Sequence, residues 1–433
     1  MKRLKYWRKS LQNGLRVILA PVGNLHSVSI AVYCRSGPRF EPVGKNGITH
    51  FVEHLLFRGT ERYPNSATLS AAADSVGADL NGATFPEYTE ITLNIHHRHL
   101  TAGMEIMGDL ICRPRFDAEV FPRETRVVLE ELAQQRDGDG SPVNLDELAH
   151  RQMWPRQRFS FSSIGRPSVL RSLGRLDVLQ HYRRMFCPQN VVLTMAGAFD
   201  VQNAMRLVRR HFSNLPDGTA FRVPPIVDRQ RHPRLTFRRH TSPVVHIRLC
   251  HKACSYQDPN LVHMLLLCDI LGGGISSRLF RSLRDELGLV YDVGANPVMF
   301  SDAGALEIAT STTRARAPLT VKALLAELNR LLSEGIPDEE LRTVKRRAAN
   351  HLELMLDSPP DLVEWFGVRE LLLAPRRPPT PHDQLEKVLS TTADDLMRMA
   401  RKVFRPERRN LLVVGALNDA QRERIRDAFQ SAQ

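Results

Sequence analysis

The sequence predicts an α+β fold of two similar domains, each a mostly antiparallel sheet with helices packed on one face. Three observations carry that expectation. The chain has 433 residues, too many for one ordinary core and suited to two domains of about 200 residues each. It also carries a diverged internal repeat. Residues 173–200 (LGRLDVLQHYRRMFCPQNVVLTMAGAFD) and 389–419 (LSTTADDLMRMARKVFRPERRNLLVVGALND) follow one plan. Each reads as a helix, a proline-marked break, a β-rich run ending at Gly197 or Gly415, and then an amphipathic helix. A twofold repeat means two like domains rather than a solenoid. Finally, helical and strand periodicities alternate within each half, which favours helices laid on a sheet.

Taken in order, residues 14–20 read as a first strand entered through the Asn13-Gly14 turn. Alternation predicts a strand over 27–34, helical spacing follows over 48–57, a strand over 90–95 and a helix over 124–135. The stretch 217–235 has poor periodicity and prolines at Pro224, Pro225 and Pro233. It divides the chain into a first domain at 1–219, a linker at 220–234 and a second domain at 235–433.

With 42% hydrophobic and 25% charged residues, the composition is that of a soluble globular protein. No run approaches the roughly 18–20 apolar residues of a spanning helix, and the basic N-terminus lacks a signal peptide's apolar core. A cytoplasmic enzyme is the expectation, or one of an organelle matrix if a transit peptide has been removed. The six cysteines are scattered, so they read as buried free thiols rather than a disulfide scaffold. Cys250, His251 and Cys254 end an apolar strand-like run, and no second ligand pair follows at zinc-finger spacing. The net charge of +13 is spread along the chain without a basic tail or nucleic-acid-binding signature, so no nucleic acid partner is expected. A general preference for acidic or neutral substrates is the weaker reading of that charge.

The informative stretch is GITHFVEHLLF, residues 47–57. On a helix, His50 and His54 share a face and can present imidazole nitrogens to one cation. Glu53 lies on the same side without competing for the metal. Zinc held by two histidines needs a third protein ligand and an open position for water. A carboxylate beside that water can act as general base, which suits Glu53. With 16 histidines in the chain, H-x-x-E-H should arise by chance on the order of a few hundredths of a time, and it is the inverse zincin pattern. A third ligand should come from another element, and RETRVVLEEL (123–132) offers Glu124, Glu130 and Glu131. Glu124 and Glu131 stand two helical turns apart on one face, so one could ligate while the other supports a ligand. Spacing alone leaves the three open.

Over nearly its whole length the chain resembles the pitrilysin family of metallopeptidases, in the half-length group that includes mitochondrial processing peptidase subunits and bacterial relatives. The resemblance rests on LQNGLRVILA, GPRFEPVGKNGITHFVEHLLFRGTERYP, GADLNGATFPEYTEITLNI and RETRVVLEEL. It implies one Zn²⁺ per chain, with Glu131, 77 positions past His54, as third ligand and Glu124 as its supporting acid. It also implies that Asn81, Gly82 and Thr84 belong to an edge strand to which a substrate peptide adds as a further strand. Gly82 stands where the family usually has Ala, which should loosen that strand; from the residues alone, Asn81-Gly82 reads equally as a plain turn. In GGGISSRLFRSLRDELGLVYDV (272–293), Arg284 and Tyr291 match the family's Arg/Tyr pair, placed to donate hydrogen bonds to the developing oxyanion. The glycine run there lacks the Gly-Lys-Ser/Thr of a phosphate loop.

The expectation is therefore a zinc endopeptidase acting on peptides or unfolded polypeptides. The family's closed chamber needs four such domains and this chain supplies two, so the resemblance implies a dimer. Both the zinc motif and the Arg/Tyr segment are present, which favours a homodimer over a heterodimer with a related chain. The competing readings are an active subunit of a heterodimeric processing peptidase, for instance in natural-product maturation, a non-catalytic scaffold relative, and a zinc hydrolase of other substrates.

Overall fold

The computed structural model describes residues 4–135, 144–219, 225–374 and 378–431. Strands fall in chain order as β1 (Trp7–Ser10), β2 (Arg16–Pro21), β3 (Ser27–Cys34), β4 (Asp79–Thr84), β5 (Thr89–His96) and β6 (Val191–Gly197). The remainder are β7 (Arg234–Arg238), β8 (Val244–Lys252), β9 (Val293–Met299), β10 (Gly304–Thr313) and β11 (Arg409–Val414). They form two mixed, mostly antiparallel sheets of order β1-β2-β6-β3-β5-β4 and β7-β11-β8-β10-β9. In each, one parallel pair interrupts the antiparallel pattern, β2 with β6 and β7 with β11.

The chain forms two compact units, each assembled from three segments. The first comprises Met1–Gln134, Gln157–Pro224 and Leu352–Asp383, and the second Gln135–Arg156, Pro225–His351 and Gln384–Gln433. The strands of the first sheet end at Gly197 and those of the second begin at Arg234, the last residue of the expected linker 220–234, whose first five residues lie outside the described ones. The helical segments are shared out differently, which contiguous pattern reading does not anticipate.

In the first unit, Val28, Ile30, Val32 and Cys34 of β3 face a core completed by Leu93, Ile95, Met104 and Met107. The opposite face of the same strand is also buried, since β3 is covered on both sides. Helix Pro359–Leu373 covers that second face: Thr194 Oγ1 donates to the Val363 carbonyl at 3.3 Å. Gly367 of this helix lets the Tyr33 ring approach where any Cβ would collide with it at 2.2 Å. The helix buries apolar residues on most of its sides, leaving Asp361 and Glu364 exposed. Its one buried acid, Glu370, accepts from Arg8 Nε at 2.9 Å and from Arg16 Nη1 at 3.3 Å. That ion pairing holds β1, a strand absent from the sequence expectation, against β2 and the helix.

In the second unit, helix Leu145–Met153 packs on β11 and β8. Gln152 Nε2 donates to the carbonyls of Leu411 at 3.0 Å and Arg234 at 3.1 Å. The repeated helix–strand–helix plan is present twice, as Arg175–Met185, β6 and Val201–Phe212, and as Ala393–Val403, β11 and Asp419–Ser431. All six cysteines are free, five of them buried. Among the described residues no helix is long and apolar enough to cross a membrane.

Candidate active site

Helix Ile48–Leu56 is amphipathic, burying Ile48, Phe51, Val52, Leu55 and Leu56 in the first core. Its start is set by two residues. Gly47 is left-handed at φ 99°, and a Cβ there would meet the Ile164 carbonyl at 2.4 Å. The buried Glu41 carboxylate then accepts the backbone N–H groups of Gly47 at 2.9 Å and Thr49 at 3.1 Å, two donors the helix itself cannot satisfy. On the other side, Thr49 Oγ1 contacts His181 Nε2 at 3.0 Å.

One turn apart, the His50 and His54 rings lie with centroids 4.5 Å from each other. Helix Phe121–Gln134 brings two carboxylates to them. Glu131 Oε1 is 3.6 Å from His50 Nε2 and its Oε2 is 3.4 Å from His54 Nε2. Two turns earlier, Glu124 Oε1 takes the hydrogen of His54 Nδ1 at 2.8 Å. Arg58 Nη2 donates to the same Glu124 oxygen at 2.9 Å. Glu130, left open by spacing, is exposed and points away.

These residues fit a zinc ion by their donor chemistry. The Glu124 contact keeps a hydrogen of His54 on Nδ1, so that loss of the second proton would free Nε2, which faces Glu131, as the ligand atom. Two ligand atoms each about 2.1 Å from a tetrahedral ion stand about 3.4 Å apart, close to the two His–Glu separations of 3.4 and 3.6 Å. One ligand atom from each of His50, His54 and Glu131 lies within 4.8 Å of the others.

The electrostatics also favour a cation. Burial, followed by the neighbouring His54, pushes His50 down to about 4, so its imidazole is neutral. Burial also opposes a charge on His54, but the hydrogen bonds to Glu124 and Glu131 prevail and raise it to about 9. Glu131 is held low, mainly by its bond to His54. The cluster thus retains one positive charge between two carboxylates, which a divalent ion would take over with release of a proton.

Glu53 sits beside the cluster, buried, and accepts from Thr84 Oγ1 of β4 at 3.2 Å. Burial raises its carboxyl, while His54 and Thr84 pull the other way. Gly82 of β4 bears on the same group: a Cβ there would lie 2.8 Å from Glu53 Oε1 and 2.8 Å from the Phe57 ring. The missing methyl is space that Glu53 and Phe57 occupy, so Gly82 shapes the site as well as the strand. Residues 81–84 are strand rather than a free turn, and among the described residues β4 is the last in its sheet, paired through Asn81↔Thr92 and Thr84↔Thr89 to β5 alone.

Arg284 and Tyr291 belong to the second unit. Arg284 lies in a π-helical segment, Phe280–Glu286, with its guanidinium 4.5 Å from the Phe280 ring and 5.0 Å from that of Tyr291. Tyr291 is 83% exposed, not the core aromatic its apolar surroundings suggest. Sequence reasoning missed Arg58, Glu41 and His181. Arg58 stands four positions past His54, a spacing that could have found it; Glu41 and His181 had no local signal.

Comparison with known proteins places two family models on the chain. The insulinase (peptidase family M16) model matches residues 16–164 and the peptidase M16 inactive-domain model matches 172–348. An uncharacterized zinc protease of Streptomyces coelicolor is 28% identical, covering 97% of this chain and 92% of its own. Another, from Bacillus subtilis, is 25% identical over 92% of this chain and 95% of its own. Among solved structures, a protease from Helicobacter pylori superposes with a TM-score of 0.86 at 20% identity, covering 95% of this chain and all of that one. A peptidase M16 inactive domain from Pseudomonas fluorescens gives 0.87 at 16% identity, over 96% of this chain and 99% of that one. At such identities the two structures speak for the fold.

Proposed function

The chain belongs to peptidase family M16, and from that premise we propose that it is a zinc-dependent endopeptidase acting on peptides or unfolded polypeptides. The observation that carries this reading is the convergence of His50, His54 and Glu131 with Glu53 beside them and Glu124 behind His54. When bound there, zinc supplies Lewis-acid polarisation of a water and of the scissile carbonyl. The chain's own residues do the rest. Glu53, buried and raised by that burial, takes a proton from the attacking water on its carboxylate and returns it to the leaving amine. Thr84 Oγ1 holds one oxygen of that carboxylate. The free edge of β4 aligns an extended peptide by backbone pairing, which asks little of its sequence.

We place Arg284 and Tyr291 as oxyanion donors of the same reaction and a homodimer as the working assembly, in which one chain's pair serves its partner's site. The exposed Tyr291 supports that role. Gel filtration giving a stable, active monomer would remove the dimer. A cytoplasmic setting is part of the proposal, in keeping with six free thiols.

The decisive experiment is Glu53→Gln assayed on an unfolded polypeptide, with zinc content measured alongside. The expected result is one zinc per chain retained and a rate lower by about 10²–10⁴-fold. Full activity with zinc bound would sink the mechanism.

A further inference from the structure

The ladder that builds the first sheet also gathers three histidines at the end of β5 away from Glu53. His96 is the last residue of β5, and its register partner on β3 is Ser27, the neighbour of His26. His97 donates its N–H to the His26 carbonyl at 2.9 Å, which fixes the backbone carrying the third ring. Consecutive strand residues would point to opposite faces. Here the strand ends and a 3₁₀ turn, His97–His99, swings His97 round beside His96. Their ring centroids lie 4.6 Å apart, and the His26 ring stands 6.0 Å from His96 and 6.4 Å from His97. None of the three is buried.

We propose that His26, His96 and His97 form a second, exterior site for a transition-metal ion of imidazole preference such as Zn²⁺, Ni²⁺ or Cu²⁺. One ring nitrogen from each lies within 4.8 Å of the other two, the same spread as His50, His54 and Glu131 show. Three neutral imidazoles without a carboxylate suit these ions and not Ca²⁺ or Mg²⁺, which take oxygen ligands. His96 is held below its ordinary value, first by desolvation and then by His97 and Arg98. His96 Nδ1 accepts from the Arg98 N–H at a long 3.3 Å. Binding at Nδ1 would exchange that weak bond for a metal bond, and binding at Nε2 requires the other tautomer. Thr89, at the catalytic end of β5, is seven residues from His96, or about 23 Å along the strand. The two sites therefore fill independently, and this inference does not rest on the peptidase reading.

The test is a Zn²⁺ titration of the full chain, free of any affinity tag and stripped of metal, against a chromophoric chelator. The parent is expected to bind two equivalents, and His26→Ala/His97→Ala one, with unchanged folding and peptidase activity. Tag-free parent should also be retained on immobilised Ni²⁺ and the double variant released. Equal stoichiometry in parent and variant overturns the exterior site. A parent that binds one equivalent and a variant that binds none would keep the exterior site and remove the catalytic zinc instead.

Discussion

His54 is held from two directions, by Glu124 on Nδ1 and by Glu131 at Nε2, and Glu124 is itself held by Arg58. Removing the charge of Glu124 leaves both His54 and Arg58 without their anionic partner and replaces one acceptor oxygen by an amide donor, which loosens the hold on the ring. Glu124→Gln should therefore weaken zinc binding about 10–100-fold, read by chelator competition and independent of any assay of hydrolysis. Unchanged affinity would show that the ring needs no such anchor. At this scale the sequence was legible where spacing and chemistry coincide. The i, i+4 pair His50 and His54 needed only a helix, and Glu53 followed from it. Glu130 and Glu131 differ by one position, so only the helix's rotation against its neighbour separates the exposed from the converging one. Arg58, Glu41 and His181 act through tertiary contacts that no local pattern records.

The elements were legible where periodicity was strong, as in β3, β5 and the helices Ile48–Leu56 and Phe121–Gln134. What holds them was not. The helix of His50 and His54 is capped by a residue six positions upstream of Gly47, so no signature at the helix start marks it. Glu41→Ala leaves the buried backbone donors of Gly47 and Thr49 without their acceptor. It should cost about 1.5–3 kcal/mol, seen as a lowered urea midpoint. A loss below a few tenths would mean that water substitutes for the cap. The glycine run after helix Leu261–Gly272 likewise has a packing explanation. A Cβ on Gly272 would lie 2.2 Å from the Ala295 amide nitrogen of β9, and Gly273 and Gly274 face the Arg347 guanidinium held by Asp269 at 2.8 Å. Gly272→Ala should destabilise the chain by about 1–3 kcal/mol through overpacking. Parent-like thermal stability would show that the helix can shift to admit the methyl.

For the whole molecule, the repeat announced two like folds, and the two sheets follow it. It could not announce that residues 352–383 join the first unit, because a helix such as Pro359–Leu373, with apolar residues on most of its sides, carries no single face that names its partner. Burial at that scale also governs the response to acid. His251 of β8 is fully buried against Phe404, and neither ring nitrogen has a hydrogen-bond partner among the described residues. Burial, with Arg409 opposite on β11, pushes it down to about 3. His181 is similarly held near 3, by burial and then Arg184. Between pH 6.5 and 3 the unfolded chain binds protons that these folded residues refuse, so stability falls as pH drops through that window. Each histidine contributes a slope of about 1.4 kcal/mol per pH unit. His251→Leu removes one such slope and leaves that of His181 in place. Whatever cavity or packing change the leucine brings is a constant offset, equal at every pH. The stability of variant minus parent should therefore be flat above pH 7 and rise by about 2 kcal/mol on going down to pH 5. Urea unfolding of both proteins at matched zinc concentration measures that difference, since protons lost at the metal cluster are common to the two and cancel. A difference that stays flat to pH 5 would mean that the folded chain lets His251 take its proton at the ordinary value, and that this core admits water.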